Sequence, residues 1–400
     1  MYVKAAATFL TPLILLLVHP SASTTYPYRA APPVVAAQVF YTPATTQTEL
    51  LAELKGMRAR GVNTVIFRVF HNRGDRVYGL AVVGDGRSMP QEGVYFKTSL
   101  SPIVADLLPV FVKTARRAGL NVWVWMTTRD AVYGASPRLL DRRYELGTGR
   151  ILSIRKLDLF NQDAVERLVG LYGDLASHPI DGILLQDDFA IRHLEAMGPA
   201  AAERYRLLYG RLPTIETLVS EYELGSGRKP TRVIHTARFA EWSRHKNRQL
   251  IEVAQRIKRA VKRRNPGVLV CFNAPYELYL DEGKALEWYA HSVELAETFD
   301  MVAVMAYQRQ IARELGLDAK EAEEKVALVA KNAARTHGAR RVIVKLQTRE
   351  WRSGKPVGRE ELQRIIAKVS GSADGVGIGF SPWEEGAAES VPVIGTSPSR

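Results

Sequence analysis

From residue 34 onward, short runs rich in β-branched and aromatic residues alternate with longer stretches whose apolar positions recur every three or four residues. The short runs are 34–40, 64–70, 122–126, 182–185, 268–272, 301–305, 342–346 and 375–380. Between them lie amphipathic stretches at 49–60, 102–118, 163–177, 238–264, 286–297, 319–336 and 360–370. Compact apolar runs bounded by turn residues predict strands, and the 3.6-residue period predicts helices. Regular alternation of the two predicts a parallel sheet, and strands that are nearly all apolar predict that both sheet faces are covered. Gly61, Gly119 and Gly338 follow helical stretches, where a left-handed residue closes the last turn. Eight strands with seven intervening helices predict an α/β fold of the (β/α)8 TIM-barrel type, one domain over residues 34–385. An open doubly wound sheet would carry a glycine-rich first turn, and Tyr41-Thr42-Pro43 is nothing like one.

The flanks read differently. Lys4 precedes a mostly apolar run from Ala5 to Val18, followed by small residues up to Ser23. That order is the pattern of a secretory signal peptide, and the run falls short of the about 20 residues that span a bilayer. Residues 1–23 are therefore expected to be a signal peptide and 24–33 a linker, giving an exported protein, periplasmic or extracellular, with no transmembrane segment after cleavage. A retained anchor is the alternative. The small, polar tail 386–400 is expected to be disordered.

Composition narrows the function classes. Hydrophobic residues at 46% and charged residues at 24% exclude a disordered or fibrous chain. A single cysteine, Cys271, excludes a disulfide framework and any multi-cysteine metal site. His71, His193, His235, His245 and His291 are scattered without a ligand spacing, so no metal and no cofactor is expected. The net charge of +13 is concentrated on the stretch 238–264. A nucleic-acid groove would need that charge to line a cleft with aromatics, so nucleic acid is not an expected partner. Helix-dipole placement and solubility explain such a face, and an anionic envelope surface is its candidate partner.

A barrel builds its site where strands end and the βα loops begin, and three of those loops are long, 71–101, 127–161 and 186–235. The strand ends deliver Tyr41; His71 and Arg73; Arg129 and Asp130; Gln186, Asp187 and Asp188; Asn273 and Tyr276; Tyr307; Gln347, Arg349 and Trp351; Trp383 and Glu384. Polar forks interleaved with flat aromatic rings suit a sugar, whose hydroxyls need donors and acceptors and whose ring faces are apolar. The sharpest element is Asp181-Gly182-Ile183-Leu184-Leu185-Gln186-Asp187-Asp188. Two adjacent carboxylates at the end of a buried strand repel one another and are partly desolvated, which raises a pKa into the range of a general acid. The plain structural alternative is a pair of helix caps. Asp181, Asp187 and Asp188 would together form an acidic cluster able to attract a protonated amine.

Residues 157–190, LDLFNQDAVERLVGLYGDLASHPIDGILLQDDFA, carry a resemblance. So do Phe239-Ala240-Glu241-Trp242 with Lys246, the segment around FDMVAVMAY ending at Tyr307, and Lys345-Leu346-Gln347 with Trp351. In this order they resemble the C-terminal glycoside-hydrolase domain of the poly-β-1,6-N-acetylglucosamine N-deacetylases of biofilm systems, over most of 34–385. The resemblance implies hydrolysis of a partly deacetylated amino-sugar polysaccharide. It implies that Asp188 matches the family's catalytic Asp, with Asp187 orienting a substrate N-acetyl group or tuning Asp188. Gln186 stands where the family has His, and a non-catalytic polysaccharide-binding or export scaffold is the rival that this departure favours. The family's N-terminal metal-dependent deacetylase domain has no counterpart here, so deacetylation is not expected. The remaining residues expected to bind substrate are Asp181, Gln186, Tyr41, His71, Arg73, Asp130, Asn273, Tyr276, Tyr307, Gln347, Trp351, Trp383 and Glu384. The second carboxylate is open among Glu350, Glu384, Asp130 and Glu277, or is replaced by the substrate's own N-acetyl group.

Overall fold

The computed structural model describes residues 33–82, 89–384 and 386–394; the expected signal peptide and most of the expected linker lie outside them. Eight parallel strands close into a barrel in chain order. They are β1 (Val35–Val39), β2 (Thr64–Arg68), β3 (Asn121–Met126), β4 (Gly182–Leu185), β5 (Leu269–Pro275), β6 (Met301–Met305), β7 (Val342–Gln347) and β8 (Gly377–Trp383). Nearly every residue in them is buried, because the barrel interior covers one face and the helices the other. The expected (β/α)8 barrel is the fold observed.

The helices that return the chain to the barrel's N-terminal rim are α1 (Gln47–Ala59), α2 (Leu108–Arg117), α3 (Gln162–Ala176), α4 (Ala237–Arg264), α5 (Val293–Glu297), α6 (Ala319–His337) and α7 (Arg359–Ser372). Thr46 and Asp318 close capping boxes at the starts of α1 and α6, each satisfying amide protons that the first helical turn leaves unpaired. Trp242, Leu250, Val253, Ile257 and Val261 form the inward stripe of α4. No helix among the described residues is long and apolar enough to cross a membrane.

Three departures from the sequence reading have local causes. The helix expected over 286–297 breaks at Ala290, which adopts φ 58°, with His291 buried behind it. The long loops are not structureless: 127–161 holds the hairpin Leu140–Glu145/Arg150–Leu157, and 186–235 holds the helix Pro199–Tyr209 and the hairpin Val219–Leu224/Pro230–His235. The third departure corrects the disordered tail. Ala387–Ser390 form a helical turn, Val391 is buried, and the Ile394 amide bonds the Arg60 carbonyl at 3.0 Å. Apolar Val391 and Ile394 pack where an eighth helix would lie, while 395–400 fall outside the described residues.

Candidate active site

The sequence Asp181-Gly182 starts β4 for two steric and electrostatic reasons. A Cβ at Gly182 would stand 2.5 Å from the indole of Trp123, so only glycine fits beside that ring. Asp181 accepts a hydrogen bond from the Val122 amide at 2.6 Å and from the Arg116 guanidinium at 2.7 Å, pinning the starts of β3 and β4 to the end of α2. This corrects its place in the substrate-binding cluster. Asp181 lies at the N-terminal end of the strand, and six residues of extended chain at about 3.3 Å each separate it from Asp187.

At the C-terminal end the two adjacent aspartates differ. Asp188 is buried and fully engaged. Its Oδ2 accepts from Thr127 Oγ1 at 2.7 Å, the Thr128 amide at 2.9 Å and the Asp130 amide at 2.7 Å, and its Oδ1 accepts from Thr128 Oγ1 at 2.7 Å. Burial, and then the charge of Asp130, push its carboxyl up to about 6. Asp187 is half-buried and makes no hydrogen bond or ion pair among the described residues. One carboxylate thus shapes the turn after β3, and the other leaves its lone pairs open.

The turn that Asp188 holds is itself clamped. Arg129 is completely buried, and its guanidinium donates to the Ala190 carbonyl, to Glu195 and to Asp141, while Nε reaches the Leu157 carbonyl at 3.3 Å. It therefore ties the β3 loop to the hairpin and to the segment after Asp188, and its positive charge is spent on two buried carboxylates. Lys246 from α4 closes the same region with a 2.6 Å bond to the His193 carbonyl, its amine pushed down to about 7 by burial. Asp130 pairs with Lys156 at 2.8 Å. Tyr133 stands close enough to Asp188 and Asp130 for burial and their charges to raise its phenol, whose OH donates to Asn72 at 2.7 Å.

The facing wall is polar and incompletely satisfied. Lys345 Nζ is buried, donates to Asn273 Oδ1 at 3.1 Å and sits 5.5 Å from the Tyr307 ring. The Tyr307 hydroxyl contacts Ser381 at 3.5 Å and its ring meets exposed Trp351 edge-on at 5.4 Å. Gln347 is held through its Nε2 by the Arg349 carbonyl at 2.7 Å. Four buried polar atoms here have no partner among the described residues: Gln38 Oε1, Trp125 Nε1, Gln186 Oε1 and Gln347 Oε1. Gln186 and Gln347 follow by two residues Leu184 and Lys345, which line the barrel's internal space with Gln38 and Trp123, so strand alternation turns them inward as well. Buried unpaired polar atoms cost about 1–3 kcal/mol each, and a ligand with hydroxyl and carbonyl groups relieves them.

The structure does not bring the remaining expected residues into this cluster. Tyr41, Trp383 and Glu384 line a hollow of about 730 Å³ shared with Glu53, Met57 and Arg60 of the α1 region. Arg76 fixes this group, stacking on Tyr41 at 4.1 Å and pairing with Glu384 at 3.0 Å. His71 is buried against the Tyr95 hydroxyl at 3.0 Å, its imidazole held down by burial and by Arg68; Arg73 is exposed. Tyr276 donates to Glu314 at 2.9 Å. Among the four candidate second carboxylates, Glu350 caps the turn at Arg352 and Ser353 and is held near 2. Glu384 and Asp130 are ion-paired. Glu277 is buried, raised by that burial, and accepts from Tyr289 at 3.3 Å. Sequence reasoning passed over Gln38 and Trp125, although each is a polar-tipped residue in an otherwise apolar strand, which is a readable signal.

Residues 43–377 match the family model described as "Hypothetical glycosyl hydrolase family 13". No curated protein matches the sequence. Among solved structures, the PgaB (BpsB) glycoside hydrolase domain from Bordetella bronchiseptica is similar with a TM-score of 0.66 and 23% identity, over 91% of this chain and 100% of that one. The catalytic domain of beta-amylase from Paenibacillus polymyxa is similar with a TM-score of 0.55 and 12% identity, over 90% of this chain and 96% of that one. The beta-galactosidase from Halorubrum lacusprofundi follows with a TM-score of 0.58 and 11% identity, over 88% of this chain and 53% of that one. At these identities the likeness is one of fold.

Proposed function

We propose that this chain, which belongs to the hypothetical glycosyl hydrolase family 13 and is a glycoside hydrolase, cleaves an amino-sugar polysaccharide of the partly deacetylated poly-N-acetylglucosamine type. The observation that carries the reading is the open carboxylate of Asp187 beside the fully bonded one of Asp188, at the end of the fourth barrel strand. A general acid must present a proton to the glycosidic oxygen as the bond to the anomeric carbon breaks. Asp188 cannot turn to a substrate without abandoning Thr127, Thr128 and Asp130, so the donor is Asp187 and Asp188 is its positioning residue. This exchanges the roles that the sequence resemblance assigned. Glu277, or the substrate's own N-acetyl oxygen, supports the anomeric carbon from the other side.

The wall of Asn273, Lys345, Tyr307 and Gln347 supplies donors and acceptors to ring substituents, and exposed Trp351 offers an apolar face. Export to the cell envelope, guided by the N-terminal pattern, belongs to the same reading. The test is mass spectrometry of products after incubation with partly deacetylated poly-N-acetylglucosamine, its fully acetylated form and a panel of neutral glucans. Short hexosamine oligomers are the expected products. Cleavage of neutral glucans alone, or of nothing in the panel, overturns the assignment.

A further inference from the structure

In a (β/α)8 barrel every helix ends at the rim where the strands begin, opposite the site. Here those helix ends are unusually cationic. Lys113 and Arg117 on α2, Arg259, Arg263 and Arg264 on α4, and Arg335 on α6 are exposed, and none is paired with a carboxylate among the described residues. Two of the carboxylates at this rim are already taken. Asp181 is bound by Arg116, and Asp300 is shared by Lys258 at 2.8 Å and Lys262 at 2.9 Å. Exposed Glu297 and Asp374, and half-buried Asp174, which shares a hollow with Arg263 and Arg264, are acids at the same rim without an ion pair among the described residues. Helix-dipole complementarity explains one basic residue per last turn; it does not explain the three exposed arginines of α4.

The other end mixes the two signs, with Asp187, Asp188 and Glu277 at the mouth beside Lys345 and the ion pair Lys156–Asp130. Strands of four to seven residues at about 3.3 Å per residue set the two ends roughly 20 Å apart. With a Debye length of about 8 Å at physiological salt, the mouth does not cancel the field of the rim. The unpaired cations are therefore felt at one end of the barrel axis.

We propose that the N-terminal rim is a docking face for an anionic phospholipid surface, which orients the barrel with its mouth turned away from the bilayer. The cations are spread over three helices, and the hollow that Arg263 and Arg264 line holds Glu166 and Asp174 but no aromatic residue, which is the arrangement for a sheet of phosphate headgroups and not for a nucleic-acid strand. The orientation follows from the position of the exposed, unpaired cations, which lie at the rim opposite the mouth. A polymer-cleaving site held in this way faces the aqueous side, where a long chain can enter. The proposal rests on the reading of the mouth as the site only for its consequence; the binding itself is independent of it.

The test is co-sedimentation of the full chain with vesicles of phosphatidylcholine containing 30% phosphatidylglycerol, against pure phosphatidylcholine, at about 50 and 500 mM salt. A basic residue near an anionic leaflet is worth roughly fivefold in partitioning. The expected result is at least about tenfold stronger binding to the anionic vesicles at low salt, lost at high salt. A variant combining Arg259→Glu, Arg263→Glu and Arg264→Glu should lose at least about tenfold of it while cleaving soluble glycan at the wild-type rate. The apolar N-terminal stretch is common to both proteins, so their difference reads the rim. Equal binding to both vesicle types, undiminished binding by the variant, or retention on immobilised DNA with none on anionic vesicles overturns the proposal. Failure of glycan cleavage with intact vesicle binding would instead count against the proposed function.

Discussion

Asp181 and Asp187 stand at the two ends of one short strand and carry the same functional group, yet the protein uses them in opposite ways. Asp181 accepts a backbone amide and pairs with Arg116. At the same rim Asp300 repeats the arrangement, accepting the Val270 amide at 2.9 Å and pairing with Lys258 and Lys262. Both acids start a strand, and both are satisfied. At the mouth Asp187 has no partner among the described residues, and there and in the barrel interior below it Gln38, Trp125, Gln186 and Gln347 each leave a polar atom unbonded among them. Satisfied polar groups at the N-terminal rim stabilise the barrel, and the C-terminal rim is the end where a barrel of this kind builds its site.

The largest effect that sharpens this contrast is on turnover. Asp187→Asn should lower glycan cleavage by about 10²- to 10⁴-fold with an unchanged thermal midpoint, because it removes a proton donor and no described contact. Asp188→Asn should do something different. Its amide would face the Thr128 and Asp130 amide protons, and a buried donor left unpaired costs about 1–3 kcal/mol. This variant should unfold at lower denaturant as well as cleave more slowly.

The pH dependence separates the two further. With its folded carboxyl raised to about 6 from 3.8, Asp188 keeps its proton where the unfolded chain has lost it. Its contribution to stability is therefore complete below about pH 4 and disappears as pH rises through 6. Thermal midpoints measured from pH 4 to 7 should fall across that window in the wild type, and the fall should flatten in Asp188→Asn. Asp181→Asn belongs at the quiet end. It keeps an acceptor for Val122, loses a partly exposed ion pair worth about 0–1 kcal/mol, and should leave turnover per folded molecule unchanged. Loss of cleavage on that substitution would break the division between the two rims.

The smallest effect concerns substrate charge. With Asp181 removed from the cluster, Asp187, Asp188 and Asp130 remain to attract a protonated amine, opposed by Lys345 across the mouth. Partly deacetylated polymer should be cleaved faster than fully acetylated polymer, by less than about tenfold, and added salt should shrink the difference. Initial rates at two ionic strengths check it.

Much of this is legible in the sequence. Each of the eight strands falls within two residues of its expected start, because apolar runs of five or so residues between helical periods admit few other folds. The placement of Asp187 and Asp188 at a strand end followed directly. What the chain did not disclose was which aspartate is bonded, since that depends on Thr127 and Thr128 from a neighbouring strand. Asp181 misled because proximity in sequence across a strand means opposite ends in space. Tyr41, Trp383 and Glu384 misled because neither the strand ends nor their spacing shows that Arg76 draws Tyr41 and Glu384 into a hollow beside α1.

The central claim is that the open carboxylate of Asp187 supplies the proton to the departing sugar, and leaving-group dependence tests it most directly. An activated aryl glycoside whose leaving group needs no protonation should be hydrolysed by Asp187→Asn within about tenfold of the wild-type rate, while polymer cleavage falls at least about 100-fold. Equal losses on both substrates, or polymer cleavage unaffected by the substitution, would contradict it.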